Sequence, residues 1–410
     1  MSFFFSRDTK VFMKFHASAD GTDDALYEIP VLDGFSFSQA TNSTEVTLNE
    51  AADSSGNSKR GRAMFNDSFA PAEWSFSTYM RPSVSDSSDT YTIASGEGSH
   101  AGNAKKFAVE GPLWAAMSAT TYNLGVGGTG APTLSSFEPN AFNFQNSNKV
   151  ALGVFDLFFV LGASKDTDGT YTSGSGGVMI YKLESCSIGS ASIDFDIEGI
   201  AQVAWSGNGK LITEQATLNT AAGQASTKGL INEGISSTTN FIRQKLTDLA
   251  IAYDASESTG DTTGIGSSDI TYSLTLTGGN ITIENNLTYL TPESLGTVNQ
   301  PLGHVMGTRS VSGNFTCYLN DVSNGSADLF ENLVESTGLI TNAFALTFGI
   351  GGSGNTPSVD VAIPKAHLEL PSHSIDDVIG IEVNFHGLSS DLSSATASSS
   401  ANEVSITYDA

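Results

Sequence analysis

The 410-residue chain has few cysteines, few prolines and few positive charges. Its two cysteines, Cys186 and Cys317, cannot build the disulfide framework that staples small secreted domains, and each reads as a free thiol on a strand. Eighteen Lys and Arg against 44 Asp and Glu leave a formal charge of −26. That balance argues against a phosphate-neutralising nucleic-acid site and against an anionic membrane surface. No apolar run is long enough to cross a bilayer: the longest, Val150 to Ala163, is interrupted by Asp156. The first residues, Met1 to Arg7, are apolar for only three positions with no basic stretch before them, so they do not read as a secretory leader. The expectation is a protein made for the cytosol.

Catalytic signatures are also missing. No Gly-x-Ser-x-Gly elbow is present, and neither cysteine has a matched histidine, so nucleophilic hydrolysis has no anchor. Asp166-Thr167-Asp168-Gly169 opens like a calcium loop but lacks the closing Glu, and Asp254 to Asp261 is a polar loop. Gly349-x-Gly351-Gly352-x-Gly354 follows a strand as nucleotide fingerprints do, yet no helix and no phosphate-reaching Lys follow it. His367, His373 and His386 lack the tight spacing and acidic or thiolate helpers of a zinc site. The sequence therefore points to no catalytic residue, no cofactor and no metal.

What is present is period-two alternation, the mark of strands. It runs from Phe35 to Leu48, Glu73 to Arg81, Ala151 to Leu161, Ser192 to Ser206, Asn280 to Leu290, Asn314 to Asn320, Ala343 to Ile350 and Gly380 to His386. Turn-forming stretches of Gly, Ser, Thr, Asn and Asp separate the runs. Two short helices are expected, Pro112 to Ala119 and Ala327 to Ser336, the second with one apolar face.

The alternation comes twice, in one order. Phe76-Ser77-Thr78-Tyr79-Met80 is answered by Phe315-Thr316-Cys317-Tyr318-Leu319, and Phe5-x-Arg7 by Phe241-x-Arg243. Phe35-Ser36-Phe37 matches Ile281-Thr282-Ile283, Leu113-Trp114 matches Leu329-Phe330, Phe155-x-Leu157 matches Phe344-x-Leu346, and Val203-x-Trp205-x-Gly207 matches Val383-x-Phe385-x-Gly387. The reading is a mainly β chain of two tandem, homologous β-sandwich or partial-barrel domains, each with a flanking short helix. Residues 1–207 form the first, 208–240 a polar connector, and 241–410 the second.

Two stretches invite a functional reading. In Ser192-Ile193-Asp194-Phe195-Asp196-Ile197-Glu198 the carboxylates Asp194, Asp196 and Glu198 share one face, a like-charge row that must be well solvated. It fits the wall of an aqueous channel or an ordinary outer face. Lys59, Arg60 and Arg62, in the loop Asn49 to Ala63, are the densest basic cluster in an acidic chain. They fit an electrostatic contact with another copy, or plain solvent exposure.

Tyr27-Glu28-Ile29-Pro30-Val31-Leu32-Asp33-Gly34-Phe35-Ser36-Phe37, then Arg62-x-x-Phe65-Asn66-Asp67, then Ala70-Pro71-Ala72-Glu73-Trp74 through Arg81-Pro82, resembles the tail tube proteins of long-tailed bacteriophages. Gly279-x-Ile281-x-Ile283-x-Asn285 and Arg309-Ser310-x-Ser312-Gly313-x-Phe315 carry the same resemblance in the second half. The resemblance implies β-sandwich modules whose sheets join in a ring around a passage wide enough for double-stranded DNA. With two modules per chain, it implies homotrimeric, pseudo-hexameric rings stacked into a tube in the virion, assembled in the host cytoplasm. Implied partners are the protein itself, the tape measure protein, tail terminator and initiator proteins, a sheath protein if the tail contracts, and DNA that passes without stable binding. Asp194, Asp196 and Glu198 are then lumen candidates, and Lys59, Arg60 and Arg62 ring-to-ring candidates. The rival is a receptor-binding or capsid-decorating β-sandwich; a β-rich carbohydrate-active enzyme is a third reading.

Overall fold

The computed structural model describes residues 4–15, 26–46, 54–56, 63–85, 105–118, 140–145, 153–162, 169–220, 241–254, 269–291, 295, 298–335, 343–355, 357–375, 378–389 and 402–409. Its strands in the first half are β1 (Lys10–Phe15), β2 (Leu26–Ile29), β3 (Ser36–Ser38), β4 (Thr41–Val46), β5 (Ala63–Phe69), β6 (Ala72–Tyr79), β7 (Pro82–Ser85), β8 (Lys105–Ala108), β9 (Ala141–Gln145), β10 (Phe155–Leu161), β11 (Thr170–Thr172), β12 (Met179–Asp196), β13 (Gln202–Gly209), β14 (Leu211–Glu214) and β15 (Thr217–Asn219). The second half adds β16 (Asp248–Tyr253), β17 (Ile270–Leu274), β18 (Leu276–Glu284), β19 (Leu287–Leu290), β20 (Gly303–Met306), β21 (Ser310–Tyr318), β22 (Phe344–Ile350), β23 (Ser358–Leu368), β24 (Ser372–Ile375), β25 (Ile379–Gly387) and β26 (Asn402–Asp409). Helices α1 (Gly111–Ser118) and α2 (Ser326–Glu335) fall within one residue of their expected positions. The architecture is mainly β, of sandwich type, with large antiparallel sheets.

The inner sheet runs β3-β6-β13-β12-β18-β21-β25-β24, every pairing antiparallel. It crosses from the first half of the chain to the second at β12 and β18, where Ser190 pairs with Glu284 and Asp196 with Gly278. Behind it lie two outer sheets, β2-β1-β10-β12-β14 and β17-β16-β22-β23-β26-β9. β12 and β23 belong to both layers. β12 turns the corner at a bulge after Leu183, where Ser185 takes φ +51°, and the local twist of a bulge lets one strand serve two sheets. β23 instead hands over to β24 across Pro371, whose missing N–H interrupts the ladder.

The core lies between these layers and is aromatic. Alternation places Trp74 and Phe76 of β6, Trp205 of β13 and Phe155, Leu157 and Phe159 of β10 inside, all at most 3% exposed. One hydrophobic cluster embraces both halves, from Val11 to Tyr408. Gly207 is required by close approach: a Cβ there would meet the Ser187 carbonyl at 2.2 Å and the Trp74 ring at 2.5 Å.

Three strand expectations need correction. The run Ser192 to Ser206 is a hairpin rather than one strand, because Gly199 at φ +117° reverses the chain between β12 and β13. The run Asn280 to Leu290 breaks at Asn286, φ +47°, and Phe35 to Leu48 divides into β3 and β4. β14 and β15 occupy positions 211–219 of the stretch expected to be a connector; residues 221–240 of it lie outside the described residues.

Candidate functional site

The open face of the inner sheet carries one consistent chemistry. Period-two alternation buries one side of each strand and leaves the other side free, and strand register arranges the free side chains in rows. One row runs Tyr79, Gln202, Asp194, Asn280, Asn314, Asn384 across six strands. The next runs Ser77, Ala204, Ser192, Thr282, Ser312, His386, and a third Ser36, Ser75, Ser206, Ser190, Glu284, Ser310. Neighbours bond one another: the Ser36 and Ser75 hydroxyls lie 2.8 Å apart, and Asn314 Nδ2 donates to Glu382 Oε1 at 2.7 Å.

Among the described residues this face carries Glu73, Asp194, Asp196, Glu284, Glu369 and Glu382 and no Lys or Arg. Asp194 and Asp196 are exposed on it, as the alternation requires. Glu198 is exposed too, but β12 ends at Asp196, so Glu198 sits in the turn at the rim. Gln244 braces that rim: its Nε2 donates to the Asp194 carbonyl at 2.7 Å, and its Oε1 accepts from the Asp196 N–H at 3.3 Å. At the far side Glu369 accepts from Asn384 at 3.0 Å and sits 3.1 Å from His386 Nε2; these hydrogen bonds hold its carboxyl below the usual range. The hydroxyl and amide members of the rows escaped the sequence reading because a Ser or Asn is informative only once its cross-strand partners are known.

Lys59, Arg60 and Arg62 lie outside the described residues, although β4 and β5, which flank them, do pair as a hairpin. The Asp166-Thr167-Asp168 and 256–261 stretches lie outside as well. Cys186 and Cys317 are free and buried, and burial pushes the Cys317 thiol up to about 12. His373 packs edge-on to Phe330 at 4.4 Å, away from the His367 and His386 pair, and no group of three or more His, Cys, Asp or Glu among the described residues is arranged to hold a metal ion. Among the described residues no helix is long and apolar enough to cross a membrane.

The seam between the two halves is sealed behind the sheet. Helix α1 is buried along its whole length, and Trp114 Nε1 donates to the Tyr408 hydroxyl of β26 at 2.7 Å. Tyr408 in turn donates to Glu110, whose carboxyl is pushed up to about 7 by burial. Arg309 reaches Glu403 at 3.2 Å and Asn285 at 3.1 Å, with its guanidinium 5.2 Å over the Phe144 ring.

No family model matches the sequence. The tail tube protein pb6 of Escherichia phage T5 is 30% identical to it over 400 residues, spanning 96% of this chain and 74% of the relative. The chain belongs to the phage tail tube proteins. As a tail tube protein it is a structural component of the virion tail. The match covers nearly all of the chain.

Proposed function

We propose that three copies of this tail tube protein close into a pseudo-hexameric ring, and that the rings stack into a tube whose lumen is the open face of the inner sheet. The observation that carries this reading is that β24 and β3 each pair with a single strand among the described residues. β24 stands beside β25 as the inner part of β12 stands beside β13, and β3 stands beside β6 as β18 stands beside β21. Inside the chain the second member of the first pair, β12, is joined to β18. The same join between β24 of one chain and β3 of the next is heterologous, and repeating it three times closes a ring with no free edge.

The two units are residues 1–207 and 241–410 with 208–240 between them, and each supplies four strands to the barrel wall. The wall then shows acids and neutral hydrogen-bonding groups to passing DNA. Like charge keeps a polyanion from sticking, so double-stranded DNA travels without stable binding and no chemistry is required of the chain. Asp194 and Asp196 face the lumen, Glu198 marks its rim, and Lys59, Arg60 and Arg62 make contacts between rings. Tape measure, terminator and initiator proteins bind the tube, with a sheath where the tail contracts, and assembly takes place in the host cytoplasm without a membrane.

Negative-stain electron microscopy of the purified protein over a range of concentration and salt tests this. Rings or hollow tubes with threefold density and a six-lobed outline are expected. Monomers or lone trimers under every condition would overturn it in favour of a receptor-binding or capsid-decorating protein.

A further inference from the structure

Within the chain, the segment that enters β16 is strapped over the turn between β12 and β13. The Ala201 N–H donates to the Ile242 carbonyl at 3.0 Å, and Ile200 and Arg243 form an antiparallel bridge. Ile242 and Ala201 are both only 1% exposed there.

The same two pieces recur at the ends of the sheet, but apart. Ser6–Asp8 and Gln244–Leu246 are both three-residue 3-10 turns, closed by Thr9 N–H to Ser6 O at 3.0 Å and Thr247 N–H to Gln244 O at 2.8 Å. Each leads into a strand of one length and register: Phe15 of β1 pairs with Phe155, and Tyr253 of β16 with Phe344. Phe4 and Phe5 therefore hold the positions of Ile242 and Arg243. On the other side, Met80 N–H donates to Ala201 O and Leu319 N–H to Ile379 O, both at 2.9 Å, so Val378 and Ile379 hold the positions of Ile200 and Ala201. In the single chain these counterparts are open: Phe4 is 45% exposed, Phe5 54%, Val378 58% and Ile379 39%.

We infer that Phe4 and Phe5 of one chain strap Val378 and Ile379 of the neighbouring chain, reproducing between chains the contact that Ile242 and Arg243 make within one. The inference rests on the ring reading and adds the residues that lock its seam. Its chemistry differs from the internal strap. Gln244, which braces the internal turn through its side-chain amide, is replaced by Ser6, too short to reach, while Phe4 and Ile379 replace the smaller Ile242 and Ala201. The contact between chains thus keeps the backbone bridge but has apolar side chains where the internal one has the Gln244 hydrogen bonds, and it forms as water is released from four exposed apolar side chains.

The test is a full-length double variant, Phe5→Cys with Val378→Cys, which sets two thiols at the places of the bridged Arg243 and Ile200. After assembly and mild oxidation, a non-reducing gel should show covalent dimers and trimers and nothing larger, with neither single variant linking. Cys186 and Cys317 are buried and do not compete. Rings seen by microscopy without any cross-link would overturn the strap while sparing the ring. A ladder continuing beyond three would overturn it in favour of a contact between stacked rings. Absence of rings from the wild-type protein would remove the ring reading and the strap with it. Independently, Phe4→Ser with Phe5→Ser should leave thermal unfolding of the monomer unchanged and raise the concentration needed for tubes by roughly tenfold; an unchanged threshold would contradict the strap.

Discussion

Trp114 donates a 2.7 Å hydrogen bond to the hydroxyl of Tyr408, 294 positions further along the chain. Both side chains are fully buried, and Trp114 also stands edge-on to Trp205 at 4.5 Å. One contact thereby ties a helix of the first half to the last strand of the second. Tyr408→Phe keeps the ring but leaves the Trp114 N–H without its partner and removes one of the hydrogen bonds to the Glu110 carboxyl. We expect a loss of about 1–3 kcal/mol, read as a lower denaturant midpoint; a loss below the error of that measurement would show the bond to be dispensable.

Glu110 makes this seam sensitive to pH. Its carboxyl is raised from 4.5 to about 7, chiefly by burial, against hydrogen bonds from Tyr408 and the Arg81 N–H that act in the opposite direction. A raised carboxyl binds its proton more tightly in the folded chain than in the unfolded one. Stability from this group is therefore full below pH 4.5 and declines as pH rises to about 7. The expected difference is roughly 3 kcal/mol, from about 1.4 kcal/mol per pKa unit. Chemical denaturation of the wild type and of Glu110→Gln at pH 5 and pH 8 checks it: the variant should lose most of the difference.

Arg309 and Glu403 form a buried pair 3.2 Å apart, and Asn285 Oδ1 accepts from the guanidinium as well. Arg309→Met takes the guanidinium from a buried carboxylate and should cost about 3–5 kcal/mol. Arg309→Met with Glu403→Leu removes both charges and should recover more than half of that loss. Equal destabilisation of the single and double variants would place the cost in lost packing over Phe144 instead.

Reversing Asp194, Asp196 and Glu198 to Lys tests the acidic lumen. Tubes should still assemble, since the three carboxylates are exposed and lie off the seam's buried network. DNA ejection should slow, because a basic wall holds phosphates that an acidic one repels. Ejection at the wild-type rate, measured by dye exclusion from emptied particles, would rule the role out.

Gly207 sets how closely β13 approaches its neighbours. In Gly207→Ala the new methyl must displace a backbone carbonyl 2.2 Å away, which no rotamer change relieves. We expect a loss of several kcal/mol and poor soluble yield, in line with overpacked cores; a Tm within a few degrees of wild type would show that β13 can shift.

Most strands of the inner sheet and the one-faced helix α2 were legible because alternation and one-faced apolar spacing are local signals; β1, β16 and β23 were not among the runs it marked. The duplication was legible in pattern but not in register. When Phe76 is set against Phe315, cross-strand pairing makes Phe37 the counterpart of Ile281 and Val203 that of Ile381, two residues from the matches read by eye. A slip of two keeps every residue on its own face, so hydrophobic pattern alone could not detect it. The hairpin turn at Gly199 was hidden for a related reason: alternation continued through it, and Glu198 was counted with a strand that had already ended. The seam network was illegible, because Glu110, Trp114 and Tyr408 meet only when the two halves dock.

The join inside the chain runs over seven paired positions of β12 and β18, whereas the edges it leaves open are β24, of four residues, and β3, of three. Backbone hydrogen bonds at so short an edge hold two chains together only briefly unless side chains close around them. In the proposed ring, a chain that meets its neighbour in the wrong register would therefore separate before a third could trap the error, and proofreading would follow from how little strand each chain offers at β24 and β3.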